Sequence, residues 1–301
     1  MQLFHYEFKA MGTACTIQLY AQNTQLAKNI SAAVITDVNR LELKYSRYRS
    51  DSLLSKINRL AAKGGKTRVD DETVSLLNYA TTCYQQSGGL FDITSGILRH
   101  IWQFQQHALP DEQQIAAIRN RIGWQRVNWS APHLEFPEPG FELDFGGIVK
   151  EYAVDRAAII AQESGMQYGI INLGGDIRVV GPHANGQPWV VGIQHPREQQ
   201  QVIQKINLSQ GALASSGDYE RCIVVNNQRY GHVFNPRTGW PVSHLAAVSV
   251  VSELCVVAGS AATIAMLKES LGTQWLAQLG LPYLWVDVQG KSGGSLLDQQ
   301  D

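Results

Sequence analysis

The order of apolar and polar side chains predicts strands and then helices in the first part of the chain. Residues 4–20 (FHYEFKAMGTACTIQLY) alternate well enough for two short strands that bend at Met11-Gly12. Residues 25–45 repeat apolar side chains at the spacing of one helical face. The serines at 50–52 indicate another helix start, and an amphipathic helix over 71–86 should end at Gly88-Gly89. A further helix is expected to begin at Asp111.

The second half mixes short strands and helices without regular alternation. FELDFGG (141–147) predicts a strand that enters a glycine turn, and IVKEYAVDRAAIIAQES (148–164) predicts a helix. The apolar stretch LCVVAGSAATIAML (254–267) predicts a buried helix whose middle almost lacks side chains. Further strands are predicted in QYGIINLGG, DIRVVG, PWVVGIQH, GALASSG, RCIVVNN, AAVSVVS and PYLWVDV. This mixture favours one compact α+β unit over a βαβ fold.

Composition restricts the class of protein. The 301 residues carry a net charge of −1, with 44% hydrophobic and 17% charged side chains, which is typical of a soluble globular protein. The absence of a long basic run argues against duplex nucleic acid as the main partner. No run approaches the about 18 apolar residues of a membrane helix. The four cysteines are widely spaced and form no CxxC motif, so we expect reduced thiols in a cytoplasmic protein.

Five turns place glycine or another small residue beside a polar side chain that could contact a ligand. They are GGLFDITSG (88–96), LDFGGIVKEYAVD (143–155), INLGGDIRVVG (171–181), ASSGDYERC (214–222) and GHVFNPRTGWP (231–241). One such turn alone is more typical of a hairpin or a helix end. Several together suggest backbone that follows an extended ligand, with amides available to phosphates.

Several well-known motifs are missing from the sequence. No GxGxxG opens a helix after a strand, and the chain has no P-loop, no GxSxG and no HExxH. The eight histidines show no zinc-ligand spacing. An oxygen-ligand site for magnesium stays open, because carboxylates, carbonyls and a threonine hydroxyl would serve.

Taken in order, the motifs resemble a known family. MGT (11–13), SRYRSDSLLSKIN (46–58), the five turns and the AxxxAT of the 254–267 helix resemble the ordered signature of the FAD:protein FMN transferases, the ApbE-like family. The resemblance implies a single α+β domain over residues 1–301, with a mixed, largely antiparallel sheet packed by helices. It also implies an enzyme that binds FAD and Mg²⁺, releases AMP and leaves FMN on a threonine hydroxyl of an acceptor protein.

The resemblance further implies which residues bind FAD. Two of them, Met11 and Tyr48, would flank the flavin ring. The others would line the flavin site or contact FAD from the glycine turns: Leu90, Phe91, Asp92, Asp144 and Lys150. Outside the family pattern each has a plainer interpretation, for example Tyr48 in the core, Asp144 as a helix cap and Lys150 as a solvated helix charge.

The same resemblance implies the catalytic and metal-binding groups. His232 would lie near the pyrophosphate and act as the base toward the acceptor threonine, with Asp92 as the next candidate. Histidine suits this step, because its neutral form accepts a proton near pH 7. The metal would use a backbone carbonyl near Gly147, the hydroxyl of Thr263 and a carboxylate.

The sequence departs from the family pattern at three positions. Gly259 stands where the family has the metal-binding aspartate, four residues before Thr263. Glu151 stands where glycine is usual, and Asn235 replaces an aspartate. If another carboxylate fills the space beside Gly259, Glu253 and Asp218 are the candidates. These departures keep an alternative open, an FAD-binding protein or FAD pyrophosphatase-like relative that has lost transfer.

Overall fold

The computed structural model describes residues 1–104, 108–198 and 201–297. Its helices are α1 (Thr24–Tyr45), α2 (Leu53–Ala61), α3 (Asp71–Gln86), α4 (Glu112–Arg119), α5 (Val149–Glu163), α6 (Cys255–Leu267) and α7 (Gly272–Leu279). Three short 3-10 helices lie at Ser95–His100, Trp124–Arg126 and Glu269–Leu271. Across the described ranges, no helix combines the length and the apolar character needed to cross a bilayer.

The strands form one large sheet and three small ones. In chain order they are β1 (Gln2–Ala10), β2 (Thr13–Ala21), β3 (Gly65–Arg68), β4 (Asn128–Ser130), β5 (His133–Phe136), β6 (Gly169–Leu173), β7 (Asp176–Gly181), β8 (Trp189–Gln194), β9 (Val202–Leu208), β10 (Gly211–Gly217), β11 (Cys222–Val225), β12 (Gln228–Gly231), β13 (Leu245–Ser252), β14 (Tyr283–Asp287) and β15 (Ser292–Gly293). The eight-stranded sheet has the order β1-β2-β6-β7-β10-β13-β14-β15. The small sheets are β3-β5-β4, β8-β9 and β11-β12.

Neighbouring strands of the large sheet run antiparallel in every pair. This arrangement confirms the α+β class with a largely antiparallel sheet. The hairpin between β1 and β2 turns at Met11 and Gly12, which both have positive φ, 53° and 74°. Two central residues of this kind match the right-handed twist of the strands they join. The same geometry recurs at Asn226 and Asn227 between β11 and β12.

The large sheet buries apolar side chains on both of its faces. One face packs against α1, α5 and α6 and includes Ile171, Ala212 and Val248. The other face carries Leu213 and Leu284 and packs against the β8-β9 pair. Because alternate residues of a strand point to opposite faces, both cores draw on the same strands. The small residues in the middle of α6 let this helix lie close to β10, β13 and α5.

Most of the predicted elements are confirmed. The two N-terminal strands, the helix near 25–45, the serine-capped helix at Ser52 and the helix over 71–86 are all present. Asp111 caps α4 with a complete capping box. The sequence pattern did not predict the small sheet β3-β5-β4, strands β9, β12 and β15, or helix α7, which are short or only weakly periodic.

One predicted strand is wrong. Residues 141–147 adopt no strand, although their pattern resembles one. The backbone of Leu143 instead exchanges two hydrogen bonds with the side chain of Asn58, at 2.8 and 2.9 Å. The amide of Asp144 donates to the carbonyl of Ile93 at 2.8 Å. A side chain and a loop therefore satisfy the polar groups that a neighbouring strand would otherwise pair.

Candidate functional site

The MGT motif and two of the small-residue turns lie side by side at the start of β2. Thr13 packs so closely on the turn between β6 and β7 that a Cβ at Gly174 would lie 2.3 Å from its Oγ1. Gly174 has a φ of +63°, and its amide donates to the carbonyl of Ala14 at 3.0 Å. Arg221, from the loop after β10, would lie 3.6 Å from a Cβ at Gly12. The tertiary structure therefore brings together the MGT, INLGG and ASSGDYER motifs.

The LDFGG loop is held against the GGLFDITSG loop. A Cβ at Gly96 would lie 2.3 Å from the Cβ of Asp144, so only glycine allows this approach. The ring of Phe91 would lie 3.2 Å from a Cβ at Gly147. Arg237, in the last of the five turns, donates from Nη2 to the carbonyl of Gly88 at 2.5 Å. Residues predicted to line the FAD site are therefore neighbours in space.

Lys150 and Asp176 form a buried ion pair close to these loops. The Nζ of Lys150, in the first turn of α5, lies 2.8 Å from the Oδ2 of Asp176, which is 1% exposed. Burial opposes the charge of Lys150, but the fields of Asp176 and Glu151 outweigh it and raise its pKa. Burial also raises the pKa of Asp176, against the influence of Lys150. Lys150 is thus a fixed, mostly buried cation, and its interpretation as a solvated helix charge is wrong.

His232 follows β12 and lies within electrostatic range of two cations. Its Nδ1 atom is buried and, among the residues described, has no hydrogen-bond partner. Burial is the largest cause of the lowered pKa of His232, and Arg221 and Lys150 lower it further against the field of Glu220. The imidazole is therefore neutral near pH 7, which is the form that can accept a proton.

Tyr48 presents an exposed aromatic ring beside the LDFGG loop. The side chain is 72% exposed, so its interpretation as a core residue is wrong. Arg47 stacks on the ring, 5.1 Å from its centroid, and donates to its hydroxyl at 2.9 Å. Arg47 also pairs with Asp144, which links the ring to the loop. Met11 is half-buried and packs at the edge of the core, at the turn between β1 and β2.

Asp92 holds its own loop in place. Its Oδ1 accepts hydrogen bonds from the amide and the hydroxyl of Thr94, at 2.8 and 2.6 Å. Its Oδ2 accepts from the amide of Trp124 at 3.0 Å. These bonds order the segment that carries Phe91 and the half-buried Leu90. A role for Asp92 as a base stays a prediction that these contacts do not support.

A residue of α5 caps the N-terminus of α6. Asp155 accepts hydrogen bonds from the amides of Cys255 and Val256, both at 2.9 Å. It also accepts from Nη1 of Arg178 at 2.9 Å. Since Leu254, at the N-cap position, makes no side-chain cap, Asp155 supplies the acceptor that the first turn of α6 needs. The cap fixes the position of α6 relative to α5.

The space beside Gly259 is filled from α5. A Cβ at Gly259 would lie 2.5 Å from Cγ of Glu151 and 3.1 Å from its Oε1. Burial raises the pKa of Glu151, the charge of Asp176 adds to this effect, and Lys150 opposes it. Glu151 therefore fills the gap for which Glu253 and Asp218 were the candidates. Asp218 is instead paired with Arg197 at 2.6 Å.

The residues around Gly259 offer oxygen atoms that suit a magnesium ion. The Oε2 of Glu151 is buried without a hydrogen-bond partner in the described part of the chain. Thr263 lies one turn farther along α6, and Gly147 lies in the turn just before α5, four residues before Glu151 in the sequence. Within the described ranges, no group of three or more His, Cys, Asp or Glu side chains is placed to hold a metal ion. A metal here would therefore need hydroxyl, carbonyl and phosphate oxygens besides one carboxylate, a set that Mg²⁺ accepts.

Three charged residues of this region, Asp176, Arg47 and Arg221, were not predicted from the sequence to belong to the site. Asp176 directly follows a glycine turn and opens a buried strand, which is an unusual place for a carboxylate and a usable signal. Arg47 and Arg221 carry no such signal. Arg49, in the same motif as Arg47, makes only a surface pair with Asp51. The third departure, Asn235, accepts a hydrogen bond from the amide of Arg237 at 2.9 Å, which an aspartate would do equally.

Comparison with known proteins assigns the chain to a family. Among similar proteins, the FAD:protein FMN transferase of Vibrio cholerae is 29% identical over 270 residues, 86% of this chain and 79% of that protein. The one from Klebsiella pneumoniae is 26% identical over 294 residues, 94% and 84% of the two chains. The crystal structure of the ApbE protein from Thermotoga maritima superposes with a TM-score of 0.90 at 30% identity, over 99% of this chain and 98% of that one. The model of the ApbE family matches residues 11–285, and the chain therefore belongs to the ApbE family.

Proposed function

We propose that this protein is an FAD:protein FMN transferase that moves FMN from FAD to a threonine hydroxyl of an acceptor protein, with Mg²⁺ and with release of AMP. The observation that carries the proposal is the neutral His232 near the buried Lys150-Asp176 pair, beside a group of glycine turns. The names of the Vibrio and Klebsiella relatives support it. We also propose that residues 1–301 act as a single domain in the cytoplasm.

The chemistry needs one base and a means of balancing phosphate charge. The threonine oxygen attacks the phosphorus of the FMN half of FAD, and its proton passes to His232. The bond between that phosphorus and the bridging oxygen breaks, so that AMP leaves with the oxygen and FMN stays on the threonine as a phosphoester. Lys150 lies within electrostatic range of His232 and supplies positive charge there.

The metal would be held by the carbonyl near Gly147, the hydroxyl of Thr263 and a carboxylate. When bound, Mg²⁺ would neutralise the charge that develops on the pyrophosphate oxygens. The burial of Asp176 excludes water from its side of the ion pair with Lys150 and strengthens electrostatic interactions there.

The remaining predicted residues would bind the flavin end of FAD. The exposed ring of Tyr48 offers a face for stacking on the planar flavin, and Met11 lies at the neighbouring hairpin. Phe91, Leu90 and Asp144 would line the site from the two loops that pack on each other.

Mass spectrometry of a model acceptor tests the function. The protein is incubated with FAD, Mg²⁺ and a peptide that carries a family-type acceptor threonine. The peptide should gain the mass of one FMN less one water, which is the mass that a phosphoester adds. A peptide with valine in place of the threonine, and a reaction with FMN instead of FAD, are the controls. An unlabelled threonine peptide in the presence of bound FAD and Mg²⁺ would contradict transfer to such a threonine.

A second candidate is an FAD-binding protein or FAD pyrophosphatase-like relative that no longer transfers FMN. Its basis is that Gly259 lacks the carboxylate of the family pattern, so that a metal site here depends on Glu151 as a replacement. The same incubation separates the candidates when AMP is also measured. AMP and free FMN without a labelled peptide indicate hydrolysis, and neither product indicates simple FAD binding.

A further inference from the structure

Three buried carboxylates line the contact between α5, α6 and the large sheet, and two of them have a cationic partner. Asp155 pairs with Arg178 at 2.9 Å, and Asp176 pairs with Lys150 at 2.8 Å. Glu151 is 7% exposed, and its Oε2 has no hydrogen-bond partner in the described ranges. A buried carboxylate that lacks a partner is strongly unfavourable, so this group needs a cation or a proton.

The position of Glu151 is set by the packing of the two helices. Its Cγ would lie 2.5 Å from a Cβ at Gly259, so the side chain uses the space that only a glycine leaves. The Asp155 cap holds the N-terminus of α6 against α5 and keeps this contact in place. Thr263 follows Gly259 by four residues and lies on the same side of α6.

We propose that Glu151 is the carboxylate ligand of the metal ion in this protein and reaches it from α5 across the bare side of Gly259. The inference rests on the proposed magnesium-dependent function and assigns the residue that completes its metal site. Compared with the family pattern, the carboxylate lies on α5 instead of α6, and the glycine lies on α6 instead of α5. Two of the positions at which the sequence departs from the family pattern, 151 and 259, are thus in direct contact.

The contact also implies that side chains at the two positions compete for the same space. An aspartate at 259 would begin with a Cβ 2.5 Å from Cγ of Glu151, which is closer than atoms that are not bonded approach. Gly259→Asp alone should therefore fail to strengthen metal binding. The double variant Glu151→Gly with Gly259→Asp should retain it, because it restores one carboxylate and one glycine.

Calorimetric titration with Mg²⁺ tests the assignment, with and without saturating FAD and with no acceptor present. Glu151→Gln keeps the size of the side chain and removes its charge, and we expect Mg²⁺ affinity to fall by at least about tenfold. Glu253→Gln is the matched control, because it makes the same chemical change at an exposed position just before α6. The Mg²⁺ affinity of the Glu253→Gln variant should equal that of the unchanged protein.

The double variant decides between ligation and an indirect effect. If Glu151 binds the ion, Glu151→Gly with Gly259→Asp recovers most of the affinity that Glu151→Gln loses, and thermal unfolding confirms that both variants are folded. Unchanged Mg²⁺ affinity in a folded Glu151→Gln variant would overturn the proposal. So would a folded double variant that binds no better than Glu151→Gln.

The outcome is independent of the transfer assay. If the metal titrations behave as expected while the threonine peptide stays unlabelled, the proposed function fails and the assignment of Glu151 stands. If the peptide is labelled and Glu151→Gln binds Mg²⁺ normally, the function stands and the assignment fails.

Discussion

Replacing Asp155 should cost more stability than replacing an ordinary helix cap. Asp155 lies in the middle of α5, yet it caps the first turn of α6 through the amides of Cys255 and Val256, both at 2.9 Å. Its Oδ1 also accepts from Arg178. Asp155→Ala therefore removes two charge-assisted hydrogen bonds and one partly buried ion pair together.

The magnitude follows from these contacts. Loss of a helix cap costs about 0.5–2 kcal/mol, and removal of one partner from a buried ion pair costs about 3–5 kcal/mol. Because the side chain of Arg178 is 23% exposed, water can partly solvate it after the change. The cost of removing its partner should therefore lie near the lower end of the range for a buried ion pair. The contacts share one carboxylate and are not additive, so we expect Asp155→Ala to lower the free energy of unfolding by about 3–5 kcal/mol.

Urea unfolding measures the difference, with Asp111→Ala as the matched control. Asp111 also caps a helix through its carboxylate, but it is exposed and caps its own helix α4. Its loss should cost about 1 kcal/mol. Should Asp155→Ala leave too little folded protein, Asp155→Asn retains one acceptor oxygen and should give an intermediate loss.

A result in which Asp155→Ala costs no more than Asp111→Ala would refute the reasoning. It would mean that α6 begins at Cys255 without help from α5. The position of Gly259 against Glu151 would then need another cause.

Four further predictions concern the site. Because burial lowers the pKa of His232, its neutral form should persist below pH 6.5, and the transfer rate should decline with acid only below that pH. His232→Ala should reduce the transfer rate by about 10²–10⁴-fold with little change in FAD affinity. FAD should bind more tightly than FMN in calorimetry, since we propose that Lys150 and the glycine turns contact the pyrophosphate, which FMN lacks. Equal affinities would contradict this proposed contact. Tyr48→Ala should weaken both ligands to a similar degree, because stacking on the flavin ring is common to both; a loss confined to FAD would place Tyr48 away from the flavin.

Much of the fold could be predicted from local pattern. The alternation in residues 4–20 and the helical spacing in 25–45 reappear as β1, β2 and α1, because one buried face decides each of these elements. Local pattern failed at residues 141–147, where strand-like alternation is real but the partner is the side chain of Asn58. Hydrogen bonds to a distant side chain leave no periodic signal along the chain.

The candidate site shows the same difference between what local sequence predicts and what distant contacts decide. The order of motifs predicts which residues line an FAD site, and the structure brings several of these motifs into contact. The order of motifs did not indicate the ion pair of Arg47 with Asp144 or the cap that Asp155 provides to α6. Each of these contacts joins residues that lie far apart in the sequence.

The sequence by itself determined the α+β class, most helices and strands, and the fact that position 259 lacks the expected carboxylate. Only the tertiary structure decided what occupies the space beside it. A missing side chain in one helix can be replaced by a longer one from any element that packs there, and neither composition nor spacing reports which element that is. The packing of α5 against α6, fixed by a cap that crosses between them, places Glu151 at Gly259.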